Sequence, residues 1–358
     1  MPSLKEIKGR INSISSTLAI TSAMKMVAAA KLQKAQMAIQ NMLPYERRLH
    51  SMLIDLMGAM NISAAASEDG SVRGSGSAER GFDQSGDRLS LSNRHDLAGM
   101  DGAYSLMAQR EVRKVAIVAF ASNSSLCGAF NSNVIREATA VINEYRASGL
   151  GDADITVYSV GRKMAEAMKK LGFPSPADFT KMSDSPSYDA ASALAQELLD
   201  GFVSGRFDKV ELVYNHYKST SSQPTIRQTY LPLSLADATA DIQVGKITDS
   251  ASESDTNRGA EPVGAPVVRQ GSPTTEDLIV EPSKEALIAT LLPKVIRLRI
   301  FTTLLDSAAA EHAARTVAMQ LATDNGNDLL QELTLEYNKG RQQKITSEIL
   351  DLVGGSLQ

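Results

Sequence analysis

Stepping alternately three and four residues from Leu4 reaches Met60 through seventeen positions, of which fourteen are apolar; only Thr21, Lys25 and Glu46 break the run. An apolar period of 3.5 residues kept up over eight heptads is what a helix shows when a partner helix buries it along one seam. Residues 1–60 are therefore predicted to be one strand of a coiled coil. At ~1.5 Å per residue this helix is ~85 Å long, far more than a small domain is wide, so it has to project. Pro44 lacks a backbone donor and crowds the preceding turn, which predicts a bend or a register adjustment near Leu43. Alanine dominates Met26–Ala30, and small side chains at a seam let two helices approach closely.

This helix carries eight basic and three acidic residues, a local charge of +5 in a chain whose formal net charge is −4. The charges are spread along the whole length and are not interleaved with aromatics, so they read as a solvated or partner-facing surface. Aromatics make up 5% of the chain and Trp is absent, which leaves little stacking surface for bases and argues against nucleic acid as a partner. The single Cys127 excludes an internal disulfide and a cysteine-based zinc site, and it suits a reducing compartment. The longest aliphatic or aromatic run, Val115–Ala121, falls far short of the ~20 residues that span a bilayer. The N-terminal MPSLKEIKGRI has charges where a secretory signal has its apolar core and reads as a mature cytoplasmic start.

Residues 61–109 and 236–277 are rich in Ser, Gly, Pro and charge and poor in aliphatics, and the second carries a net charge of −5. Such segments bury too little apolar surface to offset their ordering entropy, and both are expected to be flexible inserts. Between them, Lys114–Ser122, Ile155–Val160, Lys209–Tyr217 and Thr225–Leu233 read as strands, alternating with helices over Asn133–Ala147, Arg162–Leu171 and Ala190–Val203. The alternation predicts a Rossmann-like open α/β sheet with right-handed crossovers over residues 110–235. The last unit, 278–358, holds a helix from Pro282 to Gly354 that would reach ~105 Å. If the middle domain joins the same ends of the two long helices, they pair antiparallel and the tip of the longer one stands alone. The fold class is thus α/β, a long antiparallel two-helix coiled coil carrying a central α/β domain. Within the second helix, DNGND (Asp324–Asp328) and KGRQQK (Lys339–Lys344) introduce glycine and charge. They read either as a weak surface helix or as a segment making polar contacts that break and reform.

Open α/β sheets often bind nucleotides, yet no GxxxxGK[ST] occurs and no GxGxxG follows the first strand, where Ser122–Asn131 reads SNSSLCGAFN. The four histidines, His50, His95, His216 and His312, form no metal-binding or catalytic spacing and read as structural or surface residues. Cys127 has no local context that would activate it and reads as a packed, inert thiol.

Three separated motifs carry a resemblance. TSAMKMVAAAK (Thr21–Lys31), AARTVAMQLATDN (Ala313–Asn325) and YNKGRQQKITSEILDLVGGS (Tyr337–Ser356) resemble the gamma subunits of F-type ATP synthases, in the same order and at both chain ends. The family's C-terminal signature is matched by Ile345, Thr346, Glu348, Asp351 and Gly355, with Ser356 where Ala is usual; SNSSLCGAFN departs from the Asp-Arg-Gly that usually precedes Leu-Cys-Gly.

The resemblance implies a non-catalytic rotor of a proton-translocating ATP synthase with no cofactor of its own. Its partners would be a hexamer of alpha and beta subunits around the coil, the epsilon subunit, and a ring of c subunits under the α/β domain. It also implies a peripheral place on the cytoplasmic side of a bacterial inner membrane. Carried over by motif, Met24 and Lys25 would meet the lower lever of the catalytic subunit. Arg315, Arg341, Gln342, Thr346 and Glu348 would serve coupling or the upper contact, and Tyr45 and Glu281 the foot on the c ring. Two other classes are weighed against this. Nucleotide binding by the isolated chain would favour an enzyme with helical arms, and salt-sensitive DNA binding a coiled-coil scaffold or nucleic-acid binder.

Overall fold

A computed structural model of the chain describes residues 3–59, 106, 108–233, 281 and 284–355. Apart from Leu106, Ala108 and Gln109, the two expected inserts lie outside the described residues. Leu106 is itself a core residue, and its carbonyl accepts the Leu233 N–H at 3.1 Å, so the central core starts ahead of residue 110. In chain order the elements are α1 (Leu4–Ala59), β1 (Val115–Phe120), α2 (Phe130–Ala147), β2 (Ile155–Val160), α3 (Arg162–Lys170), α4 (Thr180–Asp184), α5 (Tyr188–Val203), β3 (Lys209–Asn215), β4 (Thr225–Leu231) and α6 (Lys284–Gly355).

The long helices pack together antiparallel. Leu4 lies against Gly340 and Leu18 against Gly326, Thr323 Oγ1 donates to Thr21 Oγ1 at 3.2 Å, and Thr302 Oγ1 donates to Glu46 Oε1 at 3.0 Å. Every predicted seam position from Leu4 to Leu56 is buried or half-buried, while most of the intervening residues are exposed. Helix α1 runs unbroken through Pro44, and α6 likewise through Pro293. A single missing N–H does not end a helix that is packed on both sides of the proline.

The sheet has the order β2-β1-β3-β4, with β1 parallel to both β2 and β3. Strand β4 runs antiparallel to β3, so the sheet is mixed and not made of crossovers alone. The cause is the short connection 216–224, which can close a hairpin but not the dozen or more residues of a crossover. All six β1 side chains are buried and divide by parity. Val115, Ile117 and Ala119 pack with α2 and α3, whereas Ala116, Val118 and Phe120 pack with α5 and the first third of α6. That segment of α6, Ile288 to Leu304, is therefore at once a layer of the central domain and a strand of the coil. Where β2 turns into α3, Gly161 has φ 95°, and a Cβ there would stand 2.1 Å from the Ala121 carbonyl oxygen. Only glycine lets the ends of β1 and β2 close up in this way.

Candidate functional site

Ligands of open α/β sheets sit beyond the carboxyl ends of the strands, where neighbouring strands send the chain to opposite faces. Here that crevice lies between β1 and β3. Helix α6 fills it: Ala310 packs against Cys127 and Phe130, and Asp306 meets His216. Beside it, at the ends of β1 and β2, a cavity between Phe120, Ala121, Val160 and Ser183 on one side and Leu304, Ser307, Ala308 and Glu311 on the other measures about 10 Å³, the space of one water. A nucleotide has no room there. Among the described residues no group of three His, Cys, Asp or Glu is placed to hold a metal, and no helix is long and apolar enough to cross a membrane.

The loop after β1 is a polar fastening. Asn123 donates to the Thr180 carbonyl at 2.7 Å and accepts the Arg162 N–H at 2.8 Å, tying β1 to α4 and α3. Ser124 Oγ accepts from Arg315 Nη2 at 2.7 Å, and Arg315 Nη1 donates to Glu311 Oε1 at the same distance. Burial raises the Glu311 carboxyl above its ordinary range although Arg315 works against it. The neighbouring His312 is brought down to about 4, chiefly by burial and further by Arg315 and Lys31. Arg315 therefore faces inward and joins α6 to the loop after β1.

The other predicted contact residues fall into three groups. Lys25 lies in the seam and donates to Gln320 Oε1 at 2.6 Å. Met24 stands outside the seam at 37% exposure, on a flank with the exposed Ile20 and Val27. Arg341, Gln342, Thr346 and Glu348 are all exposed on the end of α6 that runs past the start of α1; Thr346 Oγ1 donates to the Gln342 carbonyl at 2.9 Å, and Glu348 pairs loosely with Lys344 at 3.8 Å. Between these polar groups, Ile345, Ile349, Leu350 and Leu352 are exposed, Leu352 at 74%. Tyr45 and Glu281 are both exposed but not side by side. Tyr45 is level with Thr302 through its neighbour Glu46, whereas Glu281 precedes α6, whose first residue, Lys284, stands roughly 27 Å along the axis from Thr302.

The comparisons with known proteins agree with this geometry. Residues 3–357 match the family model described as ATP synthase. The chain is 46% identical over 357 residues to the ATP synthase gamma chain of Phocaeicola vulgatus, covering 100% of both chains. It is 45% identical over 358 residues to that of Bacteroides thetaiotaomicron, again covering 100% of both. This chain belongs to the ATP synthase gamma-chain family. A solved chain from the Euglena gracilis mitochondrial ATP synthase shares the fold, with a TM-score of 0.52 at 19% identity, covering 99% of this chain and 93% of that one. Family membership bears out the expected non-catalytic, central-stalk subunit of an ATP synthase complex.

Three functional features of this gamma-family chain escaped the sequence reading. The glycines of DNGND and KGRQQK are seam positions that receive Leu18 and Leu4. Their spacing of two heptads, equal to that of the two leucines, was the available signal. The bond from Arg315 to Ser124 and the pairing of His216 with Asp306 join residues far apart in sequence, and no local pattern marks them.

Proposed function

We propose that the chain turns as the rotor of a proton-translocating ATP synthase. In this reading the α1–α6 coil stands inside the ring of alpha and beta subunits, and the α/β domain rests on the c ring with epsilon beside it. The complex holds it peripherally at the cytoplasmic face of the inner membrane. The observation that carries the reading is the free end of α6. Residues 341–355 pass the N-terminal end of α1 by roughly 22 Å and expose isoleucine and leucine to solvent. A lone helix end with such a surface asks for a sleeve of protein around it. Its polar residues Arg341, Gln342, Thr346 and Glu348 then meet that sleeve near the top, and Met24 meets it lower down. Tyr45 and Glu281 lie toward the membrane.

A shaft does no chemistry. It biases which of several catalytic sites is open, and it can do so only if its profile differs from side to side. A two-helix coil with apolar flank residues on one side and basic residues elsewhere has such a profile. The segments 61–109 and 236–277 are accessory in this scheme. Affinity purification of the tagged chain from native membranes tests it: alpha, beta, epsilon and c subunits are expected together, and recovery without the c subunit would overturn the rotor assignment.

A further inference from the structure

The connection between β3 and β4 is built as a stiff finger. At its root the Asn215 side chain donates to the Phe130 carbonyl at 3.0 Å and accepts from Thr225 Oγ1 at 2.6 Å, and the His216 N–H donates to the Pro224 carbonyl at 2.9 Å. Further out, Ser219 and Ser222 exchange backbone bonds at 3.1 and 3.2 Å, and Gln223 Nε2 donates to the carbonyls of Ser219 and Thr220.

This finger reaches both helices of the coil. The Asp306 carboxylate on α6 is held twice, by His216 Nδ1 on Oδ2 at 2.7 Å and by the Tyr217 N–H on Oδ1 at 2.9 Å. The Tyr217 hydroxyl accepts from Gln36 Nε2 on α1 at 2.7 Å. One loop of the domain thus bridges two antiparallel helices just above the segment of α6 that is buried against the sheet.

We propose that this loop is a protonation-sensitive clasp, in which charged His216 locks the α/β domain to the coil and neutral His216 loosens the joint. The ionisable groups acting on His216 are Asp306 from α6 and Lys218 from the loop itself; α1 offers the neutral amide of Gln36 to the neighbouring Tyr217. The hydrogen bond to Asp306 raises the His216 pKa, with burial and Lys218 opposing it. A group whose pKa is raised on folding contributes fully below its unfolded value of ~6.5, and the contribution is lost as pH rises through the folded value. The clasp therefore tightens under mild acid and eases under mild alkali. The inference concerns the joint itself and does not depend on what the chain turns.

Hydrogen–deuterium exchange of the full-length chain between pH 5.5 and 8.5, corrected for intrinsic rates, provides the test, because the Tyr217 amide is one of the two donors to Asp306. Its protection is expected to fall about fivefold across the His216 titration, the order of change when a charge-assisted bond reverts to a neutral one. In His216→Gln the protection is expected to be flat with pH, at the level of the high-pH wild type. A side-chain NMR titration of wild-type His216 runs alongside and needs no variant, with a midpoint above ~6.5 expected. Protection of Tyr217 that does not vary with pH in the wild type would overturn the proposal. So would an unshifted His216 midpoint, or an undiminished pH dependence in His216→Gln.

Discussion

Gly326 of α6 has no side chain where Leu18 of α1 fills the seam: a Cβ placed there would stand 2.6 Å from Leu18 Cδ2. Gly340 stands to Leu4 in the same relation two heptads on, at 3.1 Å. Two knobs on one helix meet two holes on the other. Alanine is favoured over glycine in a helix interior by about 1 kcal/mol, whereas an overpacked seam costs about 1–3 kcal/mol. Gly326→Ala is therefore expected to destabilise by about 1 kcal/mol, and Gly340→Ala, where a shift of a few tenths of an ångström suffices, to stabilise by about 0.5 kcal/mol. Adding Leu18→Ala should turn Gly326→Ala from harmful to helpful. Thermal unfolding followed by circular dichroism checks all three signs.

Arg315 ties a buried acid to a loop of the domain, so its loss strands Glu311 without a partner. Removing one member of a buried pair costs about 3–5 kcal/mol, and the slight exposure of this one puts it near the lower end. Arg315→Ala is expected to destabilise by about 3 kcal/mol and Arg315→Lys to recover less than half of that, since an ammonium cannot hold both partners with a fork. Combining Arg315→Ala with Glu311→Gln should restore more stability than lysine does. Urea unfolding of the four proteins would show it, and equal losses in the single and double variants would contradict the pairing.

Glu211 in β3 is 2% exposed at its side chain and is met by Arg227 at 2.7 Å, Lys209 at 2.6 Å and the Tyr145 hydroxyl at 2.6 Å. Burial pushes its pKa up, but the bonds from Arg227, Lys209 and Tyr145 outweigh that and hold it below the usual range. A pKa lowered on folding contributes stability above the unfolded value of ~4.3 and loses it as pH falls through the folded one. Wild-type stability should therefore drop on the acid side of that value, and the corresponding slope should be shallower in Glu211→Gln. That variant is also expected to be weaker at pH 7 by about 3 kcal/mol. Unfolding midpoints measured from pH 3 to 7 would reveal parallel curves if the network does not act this way.

Met24 lies outside the seam, so Met24→Lys should leave the fold intact and act only on what touches the coil. In the proposed contact with the lower lever of the catalytic subunit, an added ammonium that met a carboxylate would gain a charge-assisted contact of about 1–3 kcal/mol in some rotary states and not in others. Stabilising one state raises the barrier to leaving it. Near-normal thermal stability and ATP hydrolysis are expected, with weaker hydrolysis-driven proton pumping and a steeper temperature dependence of turnover. Parallel assays in inverted membrane vesicles decide this; a pumping-to-hydrolysis ratio equal to wild type would remove Met24 from the contact surface.

Much of the architecture was readable because periodicity reports which face of an element is buried. The seam from Leu4 to Leu56 and the all-apolar β1 are such cases. Periodicity does not report what lies on the other side. The antiparallel β4 depended on a connection too short to cross over, and Gly326 reads as a weak point until Leu18 is set opposite it. The inward bonds of Arg315 were not legible because its partner Ser124 is 191 residues away and Glu311 is buried only by tertiary packing. The exposed tip carrying Gln342 and Thr346 was legible from length alone, since one helix outruns the other.

The burial of α6 beneath the sheet also decides how the molecule fails under load. Ile288, Leu292, Val295, Ile296, Ile300 and Leu304 all sink into the central core, and burying a side chain of this size contributes about 1.5–3 kcal/mol. Pulling the helix away would expose all six at once, and with them the face of the sheet they cover. The helix is keyed into the domain as a spline is cut into a hub, with no smooth face along which one could creep past the other. Twisting force on this joint has to lay open the domain's own core before the axle can turn in its socket, whatever the state of the clasp beside it.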